Sequence, residues 1–554
     1  MKIALIYPPF LEPRIHAGEI AAMPMGLYYV GAMLKSHGYV VEVLNWHDKG
    51  DDPGAMRASL ERVRPDVVGF SIVHANRWGA IDAAGLAKSL NPGVRVVFGG
   101  IGATFLWEHL LTHFQAIDYI VLGEGEQTFL ALVRALASEP AAPRAEAIPG
   151  LALRRDGAPL KTAQAEPIAD LDSLPPPARY FDFQHISLTR GCPGRCTFCG
   201  SPAFWGRRVR AHSAAYFVNQ LEMLASRGVR FFYFSDDTFT LNPGLVIEVC
   251  RAIVGRGLDI TWQAIAKVNA ISADMLKWMR RAGCVQISFG VESGSAAIRR
   301  ALCKDIREDQ VQRAFDLCLQ HGILARAYFI YGAPGETRAT IQATLTALFE
   351  DYKKRSGSGD EIWLQRIEDL LYFQTDPALD KETILAFGKT LRTTYHQWLA
   401  EFALDAAGLK TFESAEMQAD FLSRLGLTFS HGDYAGLPCC PTPRETALLL
   451  FRRALELHPD HRAYWGLALV HQQEGNRPAA DEVLQQGLVH FPTSRELNTC
   501  LGDSLARQGR YEQAVRQLAP FKGDPEVWPC LLHCYQALGR DAEAADLARR
   551  MQSS

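Results

Sequence analysis

From Met1 to about Glu139, short β-branched runs alternate with longer stretches whose apolar positions recur at helical spacing. The pattern predicts strands over Ile3–Tyr7, Val40–Leu44, Val67–Ile72, Val94–Phe98 and Tyr119–Leu122. Helices are predicted between them, over Gly26–Ser36, Ala55–Val63, Ala80–Leu90, Thr104–Leu111 and Gln127–Ala137. Such alternation is the sequence form of a doubly wound parallel sheet, which binds ligands in loops past the carboxyl ends of its strands. A Pro-rich connector follows, Asp170-Leu171-Asp172-Ser173-Leu174-Pro175-Pro176-Pro177, where proline forbids helix. The alternation then resumes. Strands are expected at Ile186–Leu188, Phe231–Ser235, Ile260–Ala266, Val285–Phe289 and Ala325–Tyr331, with helices over Ala214–Ser226, Pro243–Val254, Ala273–Ala282, Gln310–His321 and Arg338–Glu350. This second series reads as a partial (β/α) barrel with its chemistry at the carboxyl mouth of the strands.

The remainder is helical in pattern. Glu361–Tyr372 and Lys381–Leu404 have helical periodicity, and Ser430–Pro443 turns to Gly, Pro and Cys as a linker would. Beyond it Leu467, Leu501 and Leu531 each precede a glycine by eight positions (Gly475, Gly509, Gly539), and Ala480, Ala514 and Ala544 each follow that glycine by five. The first two repeats lie 34 residues apart, the tetratricopeptide period, and the third is shortened. Stacked helix pairs of this kind build a concave face for a protein or peptide, or serve only as a packing cap. The expected division is a Rossmann-like domain over 1–145, a linker over 146–182, a barrel over 183–353, a helical extension over 354–430 and a repeat domain over 431–554.

Composition narrows the class. A chain of 554 residues exceeds one core; 48% hydrophobic and 21% charged residues suit a globular protein, and a net charge of −3 gives no bulk attraction to nucleic acid. No apolar run reaches membrane-span length and Met1–Phe10 lacks the features of a signal peptide, so the expected location is the cytoplasm. Most of the twelve cysteines are scattered, as buried thiols in a reducing compartment are. Cys439-Cys440 offers a metal or thiol site, against the plainer reading of an incidental pair in a turn.

Three thiols are different. Cys192, Cys196 and Cys199 fold back within eight residues on the loop after Ile186–Leu188, which suits an iron–sulfur cluster better than a disulfide. A zinc site completed by a distant ligand such as His212 is the alternative. Further polar segments follow the later strands: Ser235-Asp236-Asp237-Thr238, Lys267, Gly290-Val291-Glu292-Ser293-Gly294 and Gly332-Ala333-Pro334-Gly335-Glu336. Each alone could be an ordinary capping turn.

Taken in order, Cys-x3-Cys-x2-Cys with Phe198 before its last cysteine and these strand-end segments resemble the radical S-adenosylmethionine (SAM) enzymes. The resemblance implies a 4Fe-4S cluster on Cys192, Cys196 and Cys199 whose open iron chelates SAM. It also implies that Ser235, Asp236 and Asp237 serve the SAM amino group, that Glu292 and Ser293 reach the ribose, and that Gly332, Pro334, Gly335 and Phe198 surround the adenine, with Lys267 at its strand end a further cofactor-binding candidate. Upstream, Tyr7-Pro8-Pro9, Met25–Leu34, Gly99-Gly100-Ile101-Gly102-Ala103-Thr104 and Gly123-Glu124-Gly125-Glu126 resemble the cobalamin-binding domain fused to one large class of these enzymes. That implies a corrin ring against Pro8, Ser71, Gly99, Gly100, Thr104, Gly123 and Glu124. The Asp-x-His-x-x-Gly motif of B12-dependent mutases is absent; His74, or else Asn76 or Arg77, is the candidate to face the lower side of the corrin.

One departure stands out: after Glu350 neither a β-rich run nor a Pro-Gly-Thr turn supplies the sixth barrel strand. The expected activity is cobalamin-dependent radical SAM methylation of an unactivated carbon on a small-molecule or peptide substrate, driven by an external electron donor such as flavodoxin or ferredoxin. The rivals are non-methylating radical rearrangement or cyclisation, and an inert repeat scaffold with a damaged barrel.

Overall fold

The N-terminal alternation folds as its pattern predicts in a computed structural model that describes residues 1–10, 24–47, 52–138, 144–330, 332–337, 339–340, 344, 363–364, 414–431, 443–524 and 527–553. Strands β1 (Lys2–Tyr7), β2 (Val40–Asn45), β3 (Val67–Ser71), β4 (Arg95–Gly99) and β5 (Tyr119–Val121) pair in parallel in the order β2-β1-β3-β4-β5. Between them run α1 (Met25–Ser36), α2 (Pro53–Val63), α3 (Arg77–Leu90) and α4 (Gly100–His113), and α5 (Glu126–Ser138) follows. Period two sorts the core. On β1, Ile3 and Leu5 pack with Leu34 of α1 and Phe129 of α5, whereas Ala4 and Ile6 pack with Leu60 of α2 and Ala84 of α3. The strand order reverses between β1 and β3, the switch point at which sheets of this type open a ligand crevice.

Two further strands extend this sheet inside the stretch read as a linker. β6 (Leu151–Arg155) pairs antiparallel with β5, and β7 (Ala158–Lys161) pairs antiparallel with β6. Asp156 and Gly157 make the turn between them with φ of 50° and 82°, the left-handed conformation that a two-residue hairpin requires. Next come β8 (His185–Ile186), β9 (Thr189–Arg190), α6 (Ser201–Trp205), β10 (Arg210–Ala211), α7 (Ala214–Ser226) and β11 (Phe231–Phe234). β8 pairs in parallel with β11, and β9 and β10 form a short antiparallel ribbon. All of this belongs to one compact unit, Met1–Phe239.

The second unit is Thr240–Ser554. It carries α8 (Pro243–Gly255), β12 (Thr261–Ala266), α9 (Ala273–Arg281), β13 (Cys284–Glu292), α10 (Ala296–Ala301), α11 (Glu308–Gln320), β14 (Leu324–Phe329) and β15 (Trp363–Leu364). β12 to β15 are parallel neighbours, with Tyr328 opposite Trp363 and Phe329 opposite Leu364. The sixth barrel strand is therefore present, and the helix expected over Glu361–Tyr372 is corrected at Trp363–Leu364. Two paired residues are too few to show a period of two in the sequence. Tyr331, most of the helix expected over Arg338–Glu350, all of Lys381–Leu404 and Cys439-Cys440 lie outside the described residues.

The C-terminal helices are α12 (Ala415–His431), α13 (Pro443–Leu457), α14 (His461–Gln473), α15 (Arg477–His490), α16 (Arg495–Arg507), α17 (Tyr511–Leu518), α18 (Trp528–Ala537) and α19 (Asp541–Ser553). Gly475, Gly509 and Gly539 turn the chain between successive helices at φ of 75°, 75° and 66°, and Ala480, Ala514 and Ala544 are buried at the crossings. Within this unit Asp420 of α12 accepts hydrogen bonds from Arg280 of α9, from Arg424 through Nε and Nη2 (both 2.8 Å), and from Arg462 of α14 (3.0 Å). Among the described residues no helix is long and apolar enough to cross a membrane.

Candidate functional site

A cavity of about 450 Å³ opens in the first unit at the switch point, within the size range of sites that hold cofactors. One wall is the sheet edge: Ser71 at the end of β3 with Val73 beyond it, Gly99 at the end of β4 with Gly100 beyond it, and Gly123 after β5. The facing wall comes from β8 and β11 and the residues after them: His185, Ser187, Ser235 and Asp237. The expected corrin-side and SAM-side segments of this unit thus line one space.

The glycines have distinct reasons. Gly100 has φ of 87°, and a Cβ there would lie 2.9 Å from the Ile72 carbonyl oxygen; at Gly102 it would lie 2.9 Å from the Val73 carbonyl carbon. Both let α4 seat against the chain's own β3 turn. Gly123, with φ of 68°, has nothing within 4 Å of its missing Cβ and leaves open space at the cavity. Thr104 supports these loops rather than lining the cavity: its hydroxyl donates to Gly100 O (2.9 Å) and accepts from Gly123 N–H (3.0 Å). Gly100→Ala is expected to lose about 1–3 kcal/mol through left-handed strain and backbone collision. Chemical denaturation of the purified chain checks this, with Gly123→Ala as the comparison that meets strain without collision.

His74 is exposed, Pro8 is buried, and neither lines this cavity. Asn76 is instead a local tie, its Oδ1 accepting from Val73 N–H at 2.8 Å. Glu124 reaches the cavity, but its carboxylate is bound to Arg210 (2.7 Å), Arg190 (3.2 Å) and the Ile168 N–H (2.7 Å). Burial opposes the Glu124 carboxylate, yet these partners outweigh it and its pKa is lowered. Arg190 also donates to Glu126 at 2.6 Å and lies over the Tyr29 and Trp205 rings. Burial works against its charge and the two glutamates hold it, raising its pKa.

Arg190 stands two residues before Cys192, so this ion network anchors the thiol loop to the β5–α5 turn. Of the three thiols, Cys192 is buried, Cys196 half-buried and Cys199 exposed. They are close enough that Cys196 and Cys192, after partial burial and Asp237, help push the Cys199 thiol up, against the Ser201 N–H. Among the described residues no three His, Cys, Asp or Glu side chains converge tightly enough for one metal ion. A cubane cluster takes each thiolate on a different iron, so its three thiols need not share one metal ion. Nor is His212 free to complete a zinc site: Nε2 meets the Tyr29 hydroxyl (3.0 Å) and Nδ1 meets Asp172 (3.0 Å). Burial holds its pKa down at about 4, against Asp172.

The β11 segment divides its labour. Asp236 is buried, accepting from the N–H groups of Leu188 (3.2 Å) and Thr189 (2.6 Å) and from the Thr189 hydroxyl (2.5 Å); it shapes the start of the thiol loop instead of facing the cavity. Ser235 and Asp237 face the cavity, Asp237 accepting from the Ser201 hydroxyl. His185, not singled out by the sequence, stacks on Tyr233 (4.4 Å) with Nδ1 on Ser235 Oγ (2.8 Å), and its buried Nε2 has no partner among the described residues. Burial holds His185 neutral, with a pKa of about 4. Phe198 is half-buried beside Cys199 and does not line the cavity.

In the second unit Lys267 is half-buried after β12. Glu292 has φ of 68° and binds Lys304 at 2.8 Å; a Cβ at Gly290 would lie 2.3 Å from its Oε1, so glycine makes room for the pair. Ser293 is buried against Thr344 (3.1 Å). Glu336 closes the Gly332–Gly335 turn by accepting from the N–H groups of Gly332 (2.5 Å) and Ala333 (3.2 Å), and burial lifts its pKa to about 7 against those two bonds. Gly332 and Gly335, flanking Pro334, have φ of 82° and 79°.

The family models match where these features lie: the radical SAM superfamily over residues 186–348 and the B12 binding domain over 20–133. An uncharacterized methyltransferase of Pyrococcus horikoshii is 31% identical over 62% of this chain and 77% of its own length. An anaerobic magnesium-protoporphyrin IX monomethyl ester cyclase of Rubrivivax gelatinosus is 30% identical over 60% of this chain, which spans 64% of the cyclase. Among solved structures, the radical SAM methyltransferase TsrM of Kitasatospora setae, with cobalamin and a 4Fe-4S cluster bound, superposes with a TM-score of 0.55 at 19% identity, covering 82% of this chain and 99% of that one. The chain belongs to the radical SAM enzymes that carry a B12-binding domain, whose cofactors are a 4Fe-4S cluster, SAM and cobalamin.

Proposed function

We propose that the protein is a cobalamin-dependent radical SAM methyltransferase acting on an unactivated carbon. The observation that carries this reading is the single cavity lined both by the sheet-edge loops Gly99–Gly100 and Gly123 and by Ser235 and Asp237. Cys192, Cys196 and Cys199 would hold the cluster, and the open space at Gly123 together with the unpartnered nitrogen of His185 suits a cavity meant to be filled. When bound, the cofactors supply one-electron SAM cleavage and a methyl group. The chain's own share is to hold and screen. Ser235 and Asp237 would orient the SAM amino group, Glu292 and Ser293 would border the ribose, and the Gly332–Glu336 turn and Phe198 would border the adenine. Lys267, just after β12, would be a further cofactor contact. The buried Arg190 network fixes the thiol loop in register with the sheet edge.

A cyclase relative at nearly the same identity as the methyltransferase keeps a second reading open, radical chemistry without methyl transfer. The deciding experiment is anaerobic reconstitution with cobalamin, SAM and candidate small-molecule acceptors. Methyl transfer is expected to give 5′-deoxyadenosine and S-adenosylhomocysteine together. 5′-Deoxyadenosine alone selects the second reading, and a visible spectrum without cobalamin after B12 is supplied overturns the first.

A further inference from the structure

We propose that the exposed arginine rim around the cluster loop, Arg195, Arg207 and Arg208, is the docking surface for an acidic one-electron carrier protein. The proposal rests on the cluster assignment above and goes beyond it in naming where the electron enters.

The chain as a whole is slightly acidic, at −3, yet from Phe183 to Leu221 it contains five arginines and no aspartate or glutamate. Two of the five, Arg190 and Arg210, are buried on Glu124 and Glu126. The other three are exposed, and no ion pair to them is found among the described residues. Their placement is fixed. Arg195 lies between Cys192 and Cys196, and the Gly206–Arg208 backbone packs on Gly191, where a Cβ would lie 2.9 Å from Arg208 O. Cys199, the most exposed of the three thiols, lies in the same loop. Beside it a Cβ at Gly200 would lie 3.2 Å from the ring of Phe105, which is itself 48% exposed.

An apolar contact near a cluster of one sign of charge suits a short-lived encounter. Charge steers the partner and raises the association rate, while a small interface lets it leave. An arginine cluster meant for a bound small anion would face the cavity; these three are absent from its lining. The electron balance is simple: a flavodoxin hydroquinone gives one electron, becomes the semiquinone, and the oxidised cluster gains that electron.

The test uses the full-length, cluster-loaded protein. Cluster reduction is followed by stopped-flow absorbance with flavodoxin hydroquinone, and separately with the methyl viologen radical cation, across ionic strength. Arg207→Glu/Arg208→Glu is expected to slow reduction by flavodoxin about ten- to a hundredfold at low salt, to flatten its salt dependence, to leave iron content unchanged, and not to slow reduction by the methyl viologen cation, which the arginines repel. Arg207→Gln/Arg208→Gln should fall between. Wild-type rates and salt slope in the charge-reversed protein overturn the proposal, as does equal slowing with both reductants. If methyl viologen reduces nothing in the wild-type protein, the cluster assignment fails as well, which separates the two failures.

Discussion

Cys196→Ala is expected to abolish reductive SAM cleavage, with 5′-deoxyadenosine falling on the order of a thousandfold or more, because ligands of one cluster act as a unit and losing one costs nearly what losing all would. Iron and sulfide per chain should fall with it. Cys250→Ala, at a buried thiol in the second unit, should leave both unchanged. Its thiol pKa is raised by burial, and a buried protonated thiol is no ligand. Cobalamin uptake should survive Cys196→Ala, since the glycine loops and the Glu124–Arg210 pair do not involve this sulfur. A variant that keeps full iron, or keeps cleaving SAM, sinks the assignment.

Asp420→Ala is expected to cost the second unit about 3–5 kcal/mol, the penalty of leaving buried charges without their partner. Three guanidiniums converge on this carboxylate, and Asp460 is the other acid near them. Burial alone would raise the Asp420 pKa; Arg424, Arg280 and Arg462 reverse that and hold it well below the usual carboxylate range. The sign follows. With the folded pKa depressed, the stabilisation is fully present above the unfolded value of about 3.9 and is lost as pH falls through the folded value. Wild-type stability should therefore decline below about pH 4, and Asp420→Asn should be destabilised at pH 7 yet decline less steeply in acid. Urea titrations between pH 3 and pH 8 measure both, and identical acid slopes would remove Asp420 as the cause.

What could be read from sequence was local. Continuous apolar runs at Ile3–Tyr7 and Val67–Ile72 located β1 and β3 because a parallel strand covered by helices on both faces is apolar at nearly every position, and the thiol spacing needed no partner elsewhere. Asp236 looked like a cofactor contact because its bonds run to Leu188 and Thr189, forty-seven residues and more away. Glu124 does reach the cavity, but its ties to Arg190 and Arg210 span as much chain and left no local sign. β15 escaped notice because two residues carry no period. The β6–β7 hairpin did leave a sign, Asp156-Gly157, but its flanks Arg154-Arg155 and Ala158–Lys161 are too polar to read as strands. His185 carried none at all, since one histidine in a strand says nothing until its neighbours are known.

The pairing of Glu124 and Glu126 with Arg190 and Arg210 also bears on how such a chain can be recombined. A chimaera that borrows residues 1–139 from a distant relative would bring in a foreign β5–α5 turn and strand two guanidiniums inside the protein unless both acids came with it. The sheet and the thiol loop are thus inherited as one block, and substitutions at these four positions should appear in compensated sets, never singly.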